Sequence, residues 1–153
     1  MRLKEQVQRA VEEGRLDDLD QIVAGDVRAV RFLVGMTYRP DAKIRAFAAQ
    51  AIARASRHHR KAVAEVVRRL VWAMNEESGG NSLTAPAVIR AIAEEQPDLL
   101  LPMVPDLARL AADEGLREDL AAALKAVARA CPGEVGSRLA GVLNARGDGC
   151  GCR

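Results

Sequence analysis

Two cysteines near the C-terminus, Cys150 and Cys152, are the residues whose types and spacing best suit chemistry. Thiolates bind soft metal ions, and two neighbouring thiols can also form a redox pair. A single Cys-x-Cys pair supplies only two metal ligands, so a third would have to come from Cys131 or from a second chain. We therefore take Cys150 and Cys152 as candidate metal ligands, without predicting a bound cofactor.

The other titratable clusters do not form a recognisable catalytic group. Glu76 and Glu77 are adjacent, and adjacent side chains at a helix end point apart, so a general acid–base pair would need a third group. His58 and His59 are adjacent as well, and we expect them in an exposed turn between helices rather than on one metal ion. The sequence contains no glycine-rich phosphate loop and no nucleophile elbow. These observations predict a protein that is not an enzyme.

Charge is distributed unevenly along the chain. Residues 41–75 carry eight basic and two acidic residues, net +6, and residues 76–119 carry three basic and ten acidic residues, net −7. Such a basic block can follow a phosphate backbone, or it can neutralise the acidic block in an adjacent layer of helices. The basic block comprises Arg54, Arg57, His58, His59, Arg60, Lys61, Arg68 and Arg69.

The elements that must position these residues are helices. Aromatic residues make up only 3% of the chain, and good helix formers dominate its composition. Apolar residues recur at helical spacing, as in the stripe of Ile44, Phe47, Ala48, Ala51 and Ile52. Breaks are predicted at Gly14, Gly25, 38–40, 75–83, Gly115 and 131–133. Thr84 and Pro86 are expected to begin a helix, and Pro102 and Pro105 to bend or delay the start of the next one.

The sequence repeats itself. Segment 41–52 (DAKIRAFAAQAI) reappears 72 residues later as segment 113–124 (DEGLREDLAAAL), and an intermediate copy 36 residues on aligns Ala51, Ala87 and Ala123. Small side chains at these positions would let neighbouring helices pack closely, and stacked helix pairs would bury each other's faces. We therefore expect Ala51→Arg or Ala87→Arg to unfold the chain.

These repeated residues resemble short HEAT-like repeats. The resemblance implies an all-α fold, a short right-handed α-solenoid of about four HEAT-like helical hairpins. Residues 1–146 would form one domain, with 1–25 as N-terminal cap helices, and residues 147–153 a flexible cysteine-containing tail. Segment 68–80 (RRLVWAMNEESGG) also resembles a family of bacterial HEAT-like proteins without an assigned activity.

The function that this resemblance implies is non-catalytic binding of a partner protein or scaffolding. Asp41 with Arg45, and Asp113 with Arg117, are four residues apart, which favours an i, i+4 ion pair and a ladder between layers. Trp72 lies at core spacing, beside a polar loop that either caps the helix or docks a partner. The candidate partner-binding residues are Arg45, Arg54, Asn75, Glu76, Glu77, Ser78, Asn81 and Arg117.

Two alternatives stay open at this point. The basic block over residues 54–69 is compatible with a nucleic-acid-binding module. The HEAT-like bilin lyases, together with Cys150 and Cys152, suggest an accessory role in metal or tetrapyrrole chemistry. The charged N-terminus, the lack of about 18 consecutive apolar residues and the few cysteines favour a cytoplasmic protein that does not enter a membrane. The sequence leaves the oligomeric state open.

Overall fold

The computed structural model describes residues 1–76 and 80–145, with the backbone alone for residues 80–83 and 139–145. All regular secondary structure within these ranges is helical, as the composition predicts. A 3-10 segment, Pro97–Met103, lies between α6 and α7. The α-helices are α1 (Leu3–Glu12), α2 (Leu16–Gly25), α3 (Ala29–Met36), α4 (Ala42–Ala55), α5 (Arg60–Asn75), α6 (Gly80–Glu95), α7 (Val104–Leu110), α8 (Glu114–Ala130) and α9 (Pro132–Ala145).

A glycine at positive φ makes the first turn between helices. Gly14 has a φ of 67°, a left-handed conformation that a Cβ atom disfavours. The backbone N–H of Arg15 donates to the Ala10 carbonyl at 2.9 Å, and that of Gly14 donates to the Val11 carbonyl at 3.1 Å. These bonds satisfy the last carbonyls of α1 and reverse the chain into α2.

The helices pack in two rows. In the first row α2 packs against α4, α4 against α6, and α6 against α8. In the second row α5 packs against the 3-10 segment and α7, and α7 packs against α9. The rows are joined because α3 contacts α4, α5 contacts α6, and α7 and α9 contact α8. A single apolar core therefore runs between the rows from Val7 to Val135.

Prolines shape the second half of the chain. The predicted delay in the start of the α-helix that follows residue 96 is confirmed. Pro97 opens the 3-10 segment, Pro102 lies within it, and Pro105 occupies the first turn of α7. The predicted start at Thr84 is wrong, because α6 begins at Gly80 and encloses Pro86. Pro86 is buried, and the packing of α6 against α4, α5 and α8 offsets the backbone hydrogen bond that proline cannot donate.

Positions 36 residues apart have similar, but not identical, environments. Val63, Leu99 and Val135, which are 36 residues apart, are all buried. Ala51 and Ala123 are buried too, but Ala87 is exposed, so the expectation that Ala87 packs in the core is wrong. The buried face of α6 carries Ala85, Val88, Ile89 and Ile92. Ala87 falls outside this face and lines a groove between α4 and α6 instead.

None of the helices described is both long enough and apolar enough to cross a bilayer.

Candidate functional site

Two aspartates cap the helices that carry the repeated segment. Asp41 precedes α4, and its carboxylate accepts hydrogen bonds from the backbone N–H groups of Lys43 at 2.8 Å and Ile44 at 3.4 Å. Asp113 precedes α8 and accepts from the N–H of Gly115 at 2.9 Å. An aspartate at this position satisfies N–H groups that have no partner within the helix. The acid position of the repeat therefore starts a helix.

The arginines four residues later have different partners from those predicted. Arg45 donates from Nη1 to the carbonyls of Arg39 at 2.8 Å and Pro40 at 2.6 Å. Arg117 donates to the carbonyls of Ala111 at 3.0 Å and Ala112 at 2.8 Å. The predicted i, i+4 ion pairs are thus wrong, because each aspartate is turned to the helix N-terminus and each guanidinium reaches carbonyls five and six residues back. Arg45 and Arg117 are 72 residues apart in the sequence, and their contacts are equivalent.

Arg54 connects α4 to α2. Its Nε donates to Asp20 Oδ1 at 3.0 Å and Oδ2 at 3.1 Å, and its Nη2 also donates to Oδ2. The side chains are 23% and 28% exposed, and the hydrogen bond that Arg54 donates to Asp20 raises the pKa of Arg54. A shielded bidentate pair orients its guanidinium firmly. Arg54 therefore links two layers, and its donors are occupied within the chain.

The predicted polar loop lies only partly within the structure. Asn75 donates from Nδ2 to the Val71 carbonyl at 3.1 Å, and Glu76 ends α5 with an exposed side chain. Glu77 and Ser78 lie outside the described residues, as do Cys150 and Cys152. Asn81 belongs to α6, where the structure describes only its backbone.

Trp72 does not fill a seam between helices. Its side chain is 64% exposed, so the prediction from its spacing is wrong. The buried residues of α5 are Val63, Val67, Leu70, Val71 and Met74. They form a complete apolar stripe without the tryptophan, since positions three and four apart share one face of a helix. Phe47, by contrast, packs against the core, as expected.

The arginines of the basic block pair with carboxylates of the chain. Arg57 pairs with Glu95, and Arg60 pairs with Asp98 at 2.7 Å, so two bridges join the basic block to the acidic block of the next layer. Arg68 and Arg69 share Glu65 on their own helix. The hydrogen bond from Arg68 lowers the pKa of Glu65. Partial neutralisation of one block by the other, one of the two outcomes expected from the sequence, is thus confirmed.

The two histidines are placed differently from each other. His58 is exposed in the turn between α4 and α5, as predicted. His59 is half-buried, and its Nε2 lies 2.6 Å from the Val23 carbonyl, which ties the start of α5 to the end of α2. A carbonyl only accepts, so this contact requires the proton on Nε2. No cluster of three or more metal-ligating side chains occurs in the part of the chain that the structure describes.

A groove floored by alanines runs along the first row, between α4 and α6. Two adjoining cavities of about 360 Å³ and 330 Å³ share Ala46, Ala49 and Ala87, and so form one continuous depression. We call it the alanine groove and define it by Ala46, Ala49, Gln50, Ala53, Ala87 and Ala91. Arg45 lies at one end, and Arg90, Glu94 and Asp119 lie at the other.

The charges at the far end of the alanine groove are arranged across two helices. Arg90 of α6 donates to Asp119 of α8 at 3.1 Å and lies 3.6 Å from Glu94. The hydrogen bond that Arg90 donates to Asp119 raises the pKa of Arg90. Glu94 keeps an exposed carboxylate, at 67% of its side-chain surface. This end of the groove therefore offers a carboxylate to a basic group.

Among the predicted site residues whose side chains the structure describes, only Arg45 lines the alanine groove. Arg54 and Arg117 are occupied by contacts within the chain, and Asn75 and Glu76 lie at the end of α5. Gln50, Ala46 and Ala87 were not predicted as site residues from the sequence. The sequence did contain an indication of the groove, because alanines on the polar side of an amphipathic helix leave its backbone accessible. The alignment of the repeat instead assigned Ala87 to the core.

No protein-family model, curated protein or solved structure matches this chain.

Proposed function

We propose that this chain is a non-catalytic protein-binding module built from short HEAT-like helical hairpins, stacked as a right-handed solenoid. The contacts of Arg45 and Arg117, and the caps of Asp41 and Asp113, recur after two repeat lengths and support this architecture. Row-by-row packing of α4, α6 and α8 supports it as well.

The observation that carries the proposal is the alanine groove. Its floor consists of side chains that end at Cβ, so the backbone of a bound segment can lie close to α4 and α6. Gln50 is exposed in this groove, and its amide has no hydrogen-bond partner among the described residues. A free amide can donate to and accept from one peptide group of an extended chain. The exposed Glu94 carboxylate favours a basic side chain at that end of the segment.

The nucleic-acid alternative is less well supported. To bind phosphates, Arg54, Arg57 and Arg60 of the basic block would have to exchange Asp20, Glu95 and Asp98 for a new anion. Each exchange breaks an existing ion pair and so offsets part of the electrostatic gain that phosphate binding requires. The alternative role in metal or tetrapyrrole chemistry depends on Cys150 and Cys152, which lie outside the described residues. A cytoplasmic location belongs to the proposal, because few cysteines suit a reducing compartment.

Ala87→Arg tests the proposal. Ala87 is exposed, so arginine is accommodated by the fold but fills the groove. Ala24→Arg is the matched control, because Ala24 is also exposed on a helix of the first row. We expect affinity purification from cells that produce the protein to recover a protein partner with the unchanged chain and Ala24→Arg. Ala87→Arg should lose that partner.

Recovery of the same partner by all three chains would contradict binding at the alanine groove. Failure to recover any protein with the unchanged chain would contradict the function as a whole. Binding of a duplex or single-stranded oligonucleotide at about 50 mM salt would favour the nucleic-acid alternative, because phosphate contacts are strongest at low ionic strength.

A further inference from the structure

A second groove lies on the opposite row of helices, between α3 and α5. It has a volume of about 420 Å³ and an apolar lining. We call it the valine groove and define it by Val27, Val30, Val34, Tyr38, Val66 and Leu70. Val27 and Tyr38 are 46% and 44% exposed, although both are large apolar side chains. An apolar groove flanked by exposed apolar side chains offers a surface against which a bound apolar side chain would be removed from water.

The valine groove occurs where the packing of the second row is interrupted. Further along that row, α5 packs against α7, and α7 packs against α9. Between α3 and α5 there is no comparable packing, and the groove occupies the space instead. A helix placed in the groove would pack against α3 and α5, much as α7 packs against its own neighbours. Apolar side chains of α3 and α5 already line the groove and could contact such a helix. The shape therefore suits a helix.

The charges around the valine groove favour an acidic occupant. The charged residues that line it are Arg31, Glu65 and Arg69. Glu65 is shared between Arg68 and Arg69, so its charge is already balanced. Arg31 has no carboxylate within ion-pairing distance among the residues the structure describes, and Arg69 is 81% exposed at 3.6 Å from Glu65. Positive charge is therefore in excess along the edge of an apolar floor.

We propose that the valine groove binds an amphipathic helix of a partner protein, with branched apolar residues on one face and carboxylates beside them. Such a helix buries its apolar face in the groove while its carboxylates meet Arg31 and Arg69. A second copy of this chain fits less well, because two copies facing each other at this groove would bring these arginines together. The proposal does not rest on the alanine groove, which lies on the other row.

Synthetic helical peptides test the proposal directly. The first probe is a peptide of about 16 residues with leucine at every third or fourth position and glutamate beside the leucines. The second replaces every glutamate with lysine, and the third has the composition of the first without its periodicity. Binding to the full chain is measured by the methyl NMR signals of Val30, Val34, Val66 and Leu70. We expect the first peptide to shift these signals and to bind about tenfold more tightly than the other two.

A pair of charge reversals then locates the site. Arg69→Glu places a carboxylate at the rim of the groove, whereas Lys61→Glu makes the same change of charge on the exposed side of α5, outside the groove. We expect Arg69→Glu to weaken binding of the glutamate peptide about fivefold, and Lys61→Glu to change it less than twofold. Circular dichroism of both variants confirms that each remains folded.

Several results would overturn the proposal. One is the absence of methyl shifts in the valine groove with the glutamate peptide at about 1 mM, the weak limit of specific binding. Equal affinity for the glutamate and lysine peptides is another, as is equal weakening by the two charge reversals. Concentration-dependent dimerisation in sedimentation experiments, with shifts of the same methyl groups in the absence of peptide, would assign the groove to a second copy. An Ala87→Arg variant that no longer binds the glutamate peptide would also overturn the proposal, because Ala87 lies outside the valine groove.

Discussion

At the scale of single residues, the recurrent aspartate and arginine each serve a helix start. Asp41 and Asp113 accept from backbone N–H groups, which relieves the unpaired donors of the first turn. Arg45 and Arg117 hold carbonyls of the segment that enters the helix. This division of contacts explains why both residue types recur without an ion pair between them.

Asp26 makes the stability of the chain sensitive to acid. The side chain of Arg28, and then its backbone N–H, donate to the Asp26 carboxylate, and its pKa falls from 3.8 to about 2. A carboxyl group with a lowered pKa stabilises the fold above its unfolded pKa and loses this effect as the pH falls through the folded value. We therefore expect Asp26→Asn to lower stability at neutral pH, and we expect this difference to shrink steadily as the pH falls from about 4 towards 2.

Urea denaturation of both chains between pH 7 and pH 2 measures this difference. Asparagine can still accept a hydrogen bond from the N–H of Arg28, so the comparison isolates the charge. A difference in unfolding free energy that stays constant across the acidic range would contradict the assignment.

At the scale of helices, equivalent positions of the repeat have different burial because their neighbours differ. The helix α4 packs against α1, α2, α3, α5 and α6, and six of its residues are buried. Ala51 is among them, at 2% exposure, whereas the equivalent Ala87 of α6 is exposed at the alanine groove. Repetition in the sequence thus predicts helix pairs better than it predicts the environment of each side chain.

Arginine substitutions at Ala51 and Ala87 should differ in their effect on stability, because the first position is buried and the second is exposed. Ala51→Arg places bulk and charge in the core and should cost about 4 kcal/mol or more of unfolding free energy. Ala87→Arg should change it by no more than about 0.5 kcal/mol, as is usual for exposed positions. Thermal and urea denaturation of the two variants measures both effects. Equal destabilisation would contradict the different burial described here.

At the scale of the whole molecule, the two rows share one core, but helices within them are not equally surrounded. The helix α6 packs against α4, α5, α8 and the 3-10 segment, whereas α9 packs mainly against α7 and α8 among the described elements. Bridges such as Arg57 with Glu95 and Arg90 with Asp119 connect successive layers near α6. Local opening is therefore easier at α9 than in the middle of the chain.

Amide hydrogen exchange should reflect this gradient. We expect the slowest exchange at residues 88–93 of α6, and exchange at residues 135–138 of α9 at least about 100-fold faster after correction for intrinsic rates. Mass spectrometry of peptides from both helices measures the two rates under the same conditions. Equal protection of α9 and α6 would show that the chain opens as one cooperative unit.

The helical character, most helix boundaries and the apolar stripes could be predicted from the sequence alone. These features depend on neighbours within one or two turns, as with Val63 and Val67 of α5 or the proline-delayed start of α7. The partners of Arg45 and Arg54, the exposure of Trp72 and Ala87, and both grooves were decided by tertiary structure. Each depends on which side of a helix faces which neighbour, and local spacing does not contain that information.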